Sequence, residues 1–265
     1  MKPKLTVVGA CGRMGRLILS LAAEAGRFEV VGAVEQEGHP DLGTDLSRLI
    51  GAKETAVKLE CRFPDACDVV IDFSGTEAAA SVVDFCADKK IPLVMGTTGL
   101  SEAQRKKVEN AAGVIPLIYG TNMSVGMNVL FSLVGKAASM LGDDYDIEIV
   151  EQHHRFKKDA PSGSALTLAE NVCKATGRNY PGCLNFGRHG KDALRKKDTI
   201  GIHAVRAGDI AGKHEVFFST LGETVCLAHN AHTREGFARG ALRAAEWLIG
   251  KSPGLYTMAD VLGLS

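Results

Sequence analysis

The sequence lacks the segments that would set it apart from ordinary globular proteins. Its longest apolar runs are far shorter than the roughly 20 residues that a membrane helix needs, so no membrane span is predicted. Internal repeats and low-complexity tracts are missing as well, which argues against solenoids and disordered chains. With 265 residues, 45% of them hydrophobic and 23% charged, the chain is long enough for two modest domains.

The sequence also lacks an excess of charge of either sign. Lysine plus arginine equals aspartate plus glutamate, at 31 each. No global field would therefore attract nucleic acid or an anionic membrane surface, and neither is an expected partner. Any attraction for anions must be local.

Several motifs that contain cysteine, histidine or serine are missing. The seven cysteines include no C-x-x-C pair, and no secretory hydrophobic segment stands at the N-terminus, which predicts reduced thiols in a cytoplasmic protein. H-E-x-x-H and G-x-S-x-G do not occur either. The sequence therefore predicts no metal site and no serine nucleophile.

Short apolar runs alternate with helical patterns in the first half of the chain. LTVVGA, EVVGAV, CDVVIDFS, IPLVMGTT and VIPLIYGT are typical of buried strands, and helices are expected from about Arg13, Thr76 and Ser101. This alternation predicts βαβ units and a parallel sheet.

The pattern changes after about Asn122. A long helix over roughly Met123 to Leu141, a strand in YDIEIVEQ and a helix near Pro161 precede three further strand-like runs, of which HEVFFSTLG and TVCLAHNA should form a hairpin. Helices from Thr233 and near Met258 are expected to pack back on the first domain. The predicted class is α/β, a parallel-sheet domain plus a central α+β domain with a mixed sheet.

VVGACGRMGRLI places Gly9, Gly12 and Gly15 between a strand and a helix, the context of a dinucleotide-binding loop. A tight turn without a ligand is the alternative. Glu35, at the end of the second strand, favours the dinucleotide because an acid there accepts hydrogen bonds from ribose hydroxyls. Gln36 follows, and no lysine or arginine nearby would meet a 2′-phosphate, so NADH should serve at least as well as NADPH.

MGTTGLS and YGTNMS end two later strands, where ligands of open α/β sheets bind. Residues 96–98 would offer amides and hydroxyls to a nicotinamide or to a substrate carboxylate, and residues 120–124 could line the same crevice. The alternative for Thr98 or Ser101 is a cap on the following helix.

EQHHRFKKDAPSGSAL crowds cationic groups beside a helix start. His153 and His154 follow a strand, in which neighbouring side chains point to opposite faces, so both serve one ligand only if the backbone bends. An imidazole can donate a proton near neutral pH. Pro161 at the first helical position would leave the amides of residues 162–164 open to an anion. A carboxylate receptor is predicted, and a solvated charged surface is the alternative.

Eight segments in order along nearly the full chain resemble the 4-hydroxy-tetrahydrodipicolinate reductase (dihydrodipicolinate reductase) family: GACGRMGR, DVVIDFS, MGTTGL, NMSVGMNV, HHRFKKDAPSGSAL, GRHG, IGIHAVRAGDIAGKHEV and GLYTMADVLGL. The resemblance implies a Rossmann domain from residues 1–122 and 234–265, and a substrate-binding domain from residues 123–233 that forms a homotetramer. It implies hydride transfer from NADH or NADPH to C4 of a cyclic dicarboxylate in the diaminopimelate route to lysine.

The resemblance also implies residue roles. His153 would be the proton donor, and Lys157 a second donor that also holds a carboxylate. The substrate carboxylates would be bound by Thr98, His154, Lys157, Gly163 and Ser164. The cofactor would contact Gly9, Ala10, Cys11, Gly12, Arg13, Met14, Glu35, Gly96, Thr97, Thr98, Gly120, Thr121, Asn122 and Met123. Arg155 and Lys158 are expected to be solvated or structural.

Three departures from the family pattern stand out. Gln36 replaces a frequent basic residue, which puts an NADPH preference in doubt. Gly75 and Thr76 replace a larger or basic residue and a proline. Ser164 replaces a usual threonine but keeps the hydroxyl.

Two other functions stay open: another Rossmann dehydrogenase acting on an amino-acid-derived imine or carbonyl, and an NAD-sensing protein without turnover. Residues 36–60 receive no functional role.

Overall fold

The computed structural model describes residues 1–51 and 56–264. These residues form two compact units, one made of Met1–Val125 with Glu235–Ser265 and the other of Gly126–Arg234. The domain borders expected at residues 122 and 234 lie near these boundaries. Of the stretch 36–60, positions 52–55 lie outside the described residues.

Twelve strands are present in the described part of the chain. In order they are β1 Lys4–Val8, β2 Glu29–Val34, β3 Leu59–Glu60, β4 Val69–Asp72, β5 Leu93–Met95, β6 Pro116–Tyr119, β7 Asp146–His153, β8 Leu184–Asn185, β9 Ile200–Arg206, β10 Gly212–Thr220, β11 Glu223–Ala231 and β12 Gly254–Tyr256.

Eight helices are present in the same residues. In order they are α1 Arg13–Ala25, α2 Leu46–Ile50, α3 Thr76–Lys89, α4 Glu102–Ala112, α5 Val125–Leu141, α6 Gly163–Thr176, α7 Glu235–Leu248 and α8 Met258–Leu262. In the part of the chain that the structure describes, no helix is long and apolar enough to cross a bilayer.

The first unit contains a seven-stranded sheet in the order β3-β2-β1-β4-β5-β6-β12. Every neighbouring pair is parallel. Leu5, Val7 and Ile71 pack with α1 and α7 on one face, whereas Val8 and Val70 pack with α3 and α4 on the other. Because both faces are covered, the strands are apolar without alternation, and the predicted Rossmann-type sheet is confirmed.

The end of the chain completes this sheet. β12 pairs with β6 at one edge, and α7 packs against α1 and strands β4 to β6. The last helices therefore belong to the same compact unit as residues 1–125.

The second unit contains a five-stranded mixed sheet in the order β11-β10-β7-β9-β8. β10 runs antiparallel to β7 and to β11, so the predicted hairpin is confirmed, while β7 and β8 pair with β9 in parallel. Ile149, Ile202 and Val216 meet across three strands and pack with α5 and α6. Further along the same face the apolar row ends at Glu151 and His214, which are paired across β7 and β10.

One predicted boundary is wrong. α6 begins at Gly163 with Ser162 as its cap, so Pro161 lies before the helix and does not occupy its first position. The reason is that the Ser162 hydroxyl caps the amide of Ala165, at 3.1 Å, which fixes Ser162 outside the first turn.

Candidate active site

Two positions of the glycine motif accept only glycine, one in the loop after β1 and one in the first turn of α1. Gly9 has φ +74°, and a Cβ there would lie 2.6 Å from the carbonyl oxygen of Phe73. A Cβ on Gly15 would overlap the carbonyl of Gly9. Gly12 is the N-cap of α1 and has no side chain to cap the first turn, so the start of this helix presents main-chain amides suited to a pyrophosphate.

Glu35 lies against this loop at the carboxyl end of β2. Its Oε2 accepts from the amide of Cys11 and its Oε1 from the amide of Gln36, both at 3.0 Å. A cavity of about 510 Å³ opens beside it, with Gly9 and Gly12 in its lining. Its volume falls within the range of small-molecule sites. The glycine cradle, the carboxylate and the cavity together fit a dinucleotide.

The charge of this cavity is one-sided. Glu35, Glu37 and Glu77 are among its lining residues, and Gln36 lies between the first two. The described residues of the lining include no lysine or arginine. A dianionic 2′-phosphate would therefore meet carboxylates without a cationic partner.

The predicted cofactor residues are not all at this cavity. Of them, Gly9, Gly12 and Glu35 line it. Ala10 and Met123 are buried in the hydrophobic core, where their side chains pack against helices. Arg13 and Thr121 are exposed, whereas Cys11, Met14, Gly120 and Asn122 are half-buried.

The segment after β5 is held by a buried carboxylate that sequence reasoning missed. The hydroxyl of Thr97 donates to Asp72 Oδ2 at 2.7 Å, and Ser74 donates to Oδ1 through its amide and its hydroxyl, at 3.0 and 2.6 Å. Burial raises the pKa of Asp72, although these hydrogen bonds oppose it. The Thr97 hydroxyl thus fixes the strand ends, while Thr98 is exposed and Gly96 is packed against the ring of Phe73.

The second unit holds His153 in a defined orientation. Its Nδ1 lies 2.5 Å from Oε2 of Glu151, two residues earlier on the same face of β7. Glu151 is completely buried. Its two oxygens accept from Arg206 at 2.8 Å each, and Oε1 also accepts from the amide of Ser162 at 2.9 Å.

These contacts keep Glu151 ionised. Burial alone would raise the pKa of the carboxyl, but the hydrogen bonds from His153, Arg206 and the Ser162 amide outweigh it and lower the pKa to about 2. An anion at Nδ1 fixes the orientation of the His153 ring and therefore the direction of its other nitrogen, Nε2.

A second histidine packs on the first. The rings of His153 and His214 meet edge to face, with centroids 5.2 Å apart, and Nε2 of His214 lies 3.1 Å from the hydroxyl of Ser162. Burial and then the charge of His153 lower the pKa of His214 to about 3. His214 is therefore neutral at physiological pH and cannot supply a proton there.

Lys157 follows the turn that ends β7. Its amide donates to the carbonyl of His154 at 3.1 Å, so the chain turns after His154, and a shared role for the two histidines stays a prediction. Its Nζ lies 2.8 Å from Oδ1 of Asp159. Burial would raise the pKa of Asp159, but the hydrogen bond from Lys157 prevails and lowers it. Arg155 and Lys158 are exposed, as expected.

The start of α6 adds a positive helix end to this cluster. The Ser162 amide donates to Glu151, so the expectation that it is open to an anion is wrong. Gly163 and Ser164 occupy the first turn of α6, where the helix dipole favours a negative group. A carboxylate-binding role for Gly163 and Ser164 stays a prediction.

Three side chains near the glycine loop lie close enough together to offer ligands to one metal ion. Cys11, His39 and Asp41 place possible metal-ligand atoms within 4.8 Å of one another. Arg16 already brings a cation to the group, since its Nε donates to the Cys11 carbonyl at 2.9 Å and its guanidinium lies 3.7 Å from Asp41. The absence of a metal requirement stays a prediction.

Comparison with known proteins covers nearly the whole chain. Residues 3–123 match the family described as "Dihydrodipicolinate reductase, N-terminus", and residues 126–262 match "Dihydrodipicolinate reductase, C-terminus". A 4-hydroxy-tetrahydrodipicolinate reductase of Geotalea daltonii is 45% identical over 264 residues, covering 98% of this chain and 99% of the relative. One from Anaeromyxobacter dehalogenans is 47% identical over 265 residues, covering 98% of each.

Solved structures show the same fold. A dipicolinate-bound dihydrodipicolinate reductase from Paenisporosarcina sp. TG-14 superimposes with a TM-score of 0.77 at 21% identity, over 98% of this chain and 99% of that one. With family matches along both units and relatives above 40% identity over full length, the chain belongs to the dihydrodipicolinate reductase family.

Proposed function

We propose that the protein reduces 4-hydroxy-tetrahydrodipicolinate, by way of dihydrodipicolinate, to tetrahydrodipicolinate and water with NADH or NADPH, in the diaminopimelate route to lysine. Its relatives at 45 and 47% identity bear the name of this reductase. The observation that carries the proposal in the structure is His153, held by a buried and ionised Glu151 beside Lys157 and the start of α6.

The first unit binds the cofactor in this proposal. The glycine loop and the start of α1 hold the pyrophosphate, and Glu35 accepts hydrogen bonds from the adenosine ribose. The bound nicotinamide supplies a hydride. Gly96, Thr98 and the segment 120–122 would flank the nicotinamide; Met123 would contribute through packing, because its side chain is in the core.

The second unit binds and protonates the substrate. Hydride addition to C4 creates negative character on the conjugated system, and His153 would quench it with the proton on Nε2, while Glu151 holds Nδ1. Lys157 would serve as a second donor and as a carboxylate partner, which requires it to leave Asp159 or to share it. His154, Gly163 and Ser164 would bind the remaining carboxylate oxygens.

The reaction is tested by following the loss of NADH absorbance while an upstream synthase generates the substrate. We expect turnover that depends on both the synthase and this protein. Binding of NADH without turnover would favour an NAD-sensing protein. Turnover with other amino-acid-derived imines, but not with the cyclic dicarboxylate, would favour another Rossmann dehydrogenase.

The cofactor preference follows from the one-sided charge of the cavity. Because Glu35, Glu37 and Glu77 line it, we expect NADH to be used at least as well as NADPH. Gln36→Arg should raise kcat/KM for NADPH by about tenfold, since a guanidinium beside the ribose would pair with the 2′-phosphate. Asn110→Arg, which adds the same charge at an exposed position of α4 outside the cavity lining, is the control. A tenfold NADPH advantage in the unmodified protein would contradict the preference.

A homotetramer in the cytoplasm completes the proposal. The mixed sheet packs α5 and α6 on one face, and most residues of β11 are exposed in the single chain, as expected of a strand that meets another copy. All seven cysteines are free thiols, in keeping with a reducing compartment. Light scattering after size-exclusion chromatography should give four times the mass of 28.1 kDa; a monomer mass would exclude the tetramer.

A further inference from the structure

Two cysteines of the second unit lie in contact without a bond. Cys173 is in the last turn of α6, and Cys183 stands just before β8. Their sulfur atoms are 3.3 Å apart, and both are free thiols. A disulfide bond is about 2.05 Å long, so the sulfur atoms would have to approach by little more than an ångström.

The backbone already holds both residues at this separation. The amide of Arg178 donates to the carbonyl of Cys173 at 3.1 Å, and the amide of Cys183 donates to the carbonyl of Asn179 at 2.9 Å. Ile200, at the start of β9, donates to the carbonyl of Cys183, also at 2.9 Å. Bond formation would therefore need side-chain rotation and little movement of the main chain.

The two thiols differ in their access to solvent. Cys173 is 2% exposed, and burial, followed by its contact with Cys183, raises the pKa of its thiol to about 12. Cys183 is half-buried. A dissolved oxidant would therefore reach Cys183 before Cys173, and the Cys173 sulfur would stay reduced within van der Waals contact of the product.

We propose that Cys183 and Cys173 are a peroxide-sensitive pair that closes to a disulfide. Hydrogen peroxide would transfer one oxygen to Cys183, giving a sulfenic acid and water. The Cys173 sulfur would then attack the Cys183 sulfur: the S–S bond forms, the S–O bond breaks, and the hydroxide leaves with the Cys173 proton as a second water. Cys173 thus protects Cys183 from further oxidation, and a dithiol reductant reverses the reaction.

The pair is tested on the full chain by treatment with hydrogen peroxide, alkylation of the remaining thiols and peptide mass mapping. We expect a cross-linked peptide pair containing Cys173 and Cys183, and recovery of both thiols with dithiothreitol. Cys226→Ser, which removes an exposed cysteine outside the pair, should behave in the same way.

Removal of the buried partner gives a second readout. In Cys173→Ala the sulfenic acid on Cys183 has no neighbour to condense with, so labelling of Cys183 by dimedone should rise roughly tenfold or more over the unmodified protein. Circular dichroism would confirm that the variant is folded. A Cys173 that stays alkylatable after Cys183 is oxidised, or equal dimedone labelling in the two proteins, would overturn the proposal.

Discussion

Glu151 is a carboxylate enclosed by donors. Arg206, the Ser162 amide and His153 all donate to its two oxygens. A buried charge with this many partners is costly to leave unpaired, so removal of any one partner affects the others. At the residue scale this makes Glu151 a positioning residue for His153, whereas Arg206 balances its charge.

Loss of the proposed donors should lower the rate of the chemical step. His153→Ala and Lys157→Ala should each reduce kcat by a factor of about 10² or more, because a proton donor is removed in each case. Lys158→Ala, at the exposed neighbouring position, is the matched control. Its kcat should stay within about twofold of the unmodified protein, because a solvated side chain makes no contact that the reaction needs. A wild-type kcat in either test variant would remove that residue from its role.

Glu151→Gln should reduce kcat by roughly tenfold or more while KM for NADH stays unchanged. The amide keeps the shape of the side chain but no longer provides a charge to orient the His153 ring, and Arg206 loses its counter-ion. Steady-state kinetics at several pH values would measure the effect. Glu170→Gln, which removes the surface partner of Lys174, should have little effect. A variant that melts normally and keeps full kcat would show that His153 is held in another way.

At the scale of elements, the start of α6 joins structure to chemistry. The Ser162 hydroxyl caps the helix and also forms a hydrogen bond with Nε2 of His214. The Ser162 amide donates to Glu151. The same turn therefore begins a helix, donates a hydrogen bond to a buried carboxylate and borders the proposed carboxylate site. Ser101 has the simpler role, a capping box with Gln104 at the exposed start of α4.

This difference predicts a difference in stability. Ser101→Ala should lower the free energy of unfolding by about 1 kcal/mol, the usual cost of a lost cap. Ser162→Ala should cost about 2 kcal/mol or more, since Nε2 of His214 is then buried without its hydroxyl partner. Urea unfolding of both variants would measure the two values. Equal losses would mean that the contact with His214 contributes nothing.

The elements that could be predicted are those with strong local signals. The structure has strands at the five long apolar runs of the parallel sheet and helix starts at Arg13 and Thr76. These elements were predictable because continuous apolar runs and glycine turns can be recognised within a few consecutive residues. β3, β8 and β12 were missed. They contain two or three residues each and exist only through pairing with a distant strand, which local sequence does not encode.

The site was predictable to a similar extent. His153, Lys157 and the α6 start are adjacent in sequence, so their cluster could be recognised. Glu151 offered a weaker signal, its place two residues before His153 on one strand face. Arg206 offered none: it is 55 positions from Glu151, and only the pairing of β7 with β9 brings the two together.

At the scale of the whole molecule, buried titratable groups set the response to acid. The folded state holds His214 with a pKa of about 3, so the unfolded chain binds its proton first as the pH falls below about 6.5. Folding stability from this group is complete above pH 6.5 and declines towards pH 3. Glu151, with a pKa of about 2, adds a further loss below about pH 4.5, where the unfolded carboxyl becomes protonated.

The unfolding free energy should therefore fall by about 2 kcal/mol between pH 7 and pH 5 on account of His214. His214→Gln should remove most of this dependence while keeping a polar partner for Ser162. His232→Gln, at an exposed position, should leave it intact. Urea unfolding at pH 7 and pH 5 would measure the change in unfolding free energy for each protein. The same change in all three proteins would mean that groups other than His214 cause the loss of stability in acid.

The return of α7 and β12 to the first sheet has a consequence for synthesis. The ribosome makes β6 and α1 early, yet their partners at residues 254–256 and 235–248 emerge last. Until then β6 is an open edge and the apolar side of α1 lacks the helix that covers it. By that time residues 126–234 have left the ribosome with all the strands of their own sheet. The second unit can therefore fold before the first unit, although synthesis of the first unit begins earlier.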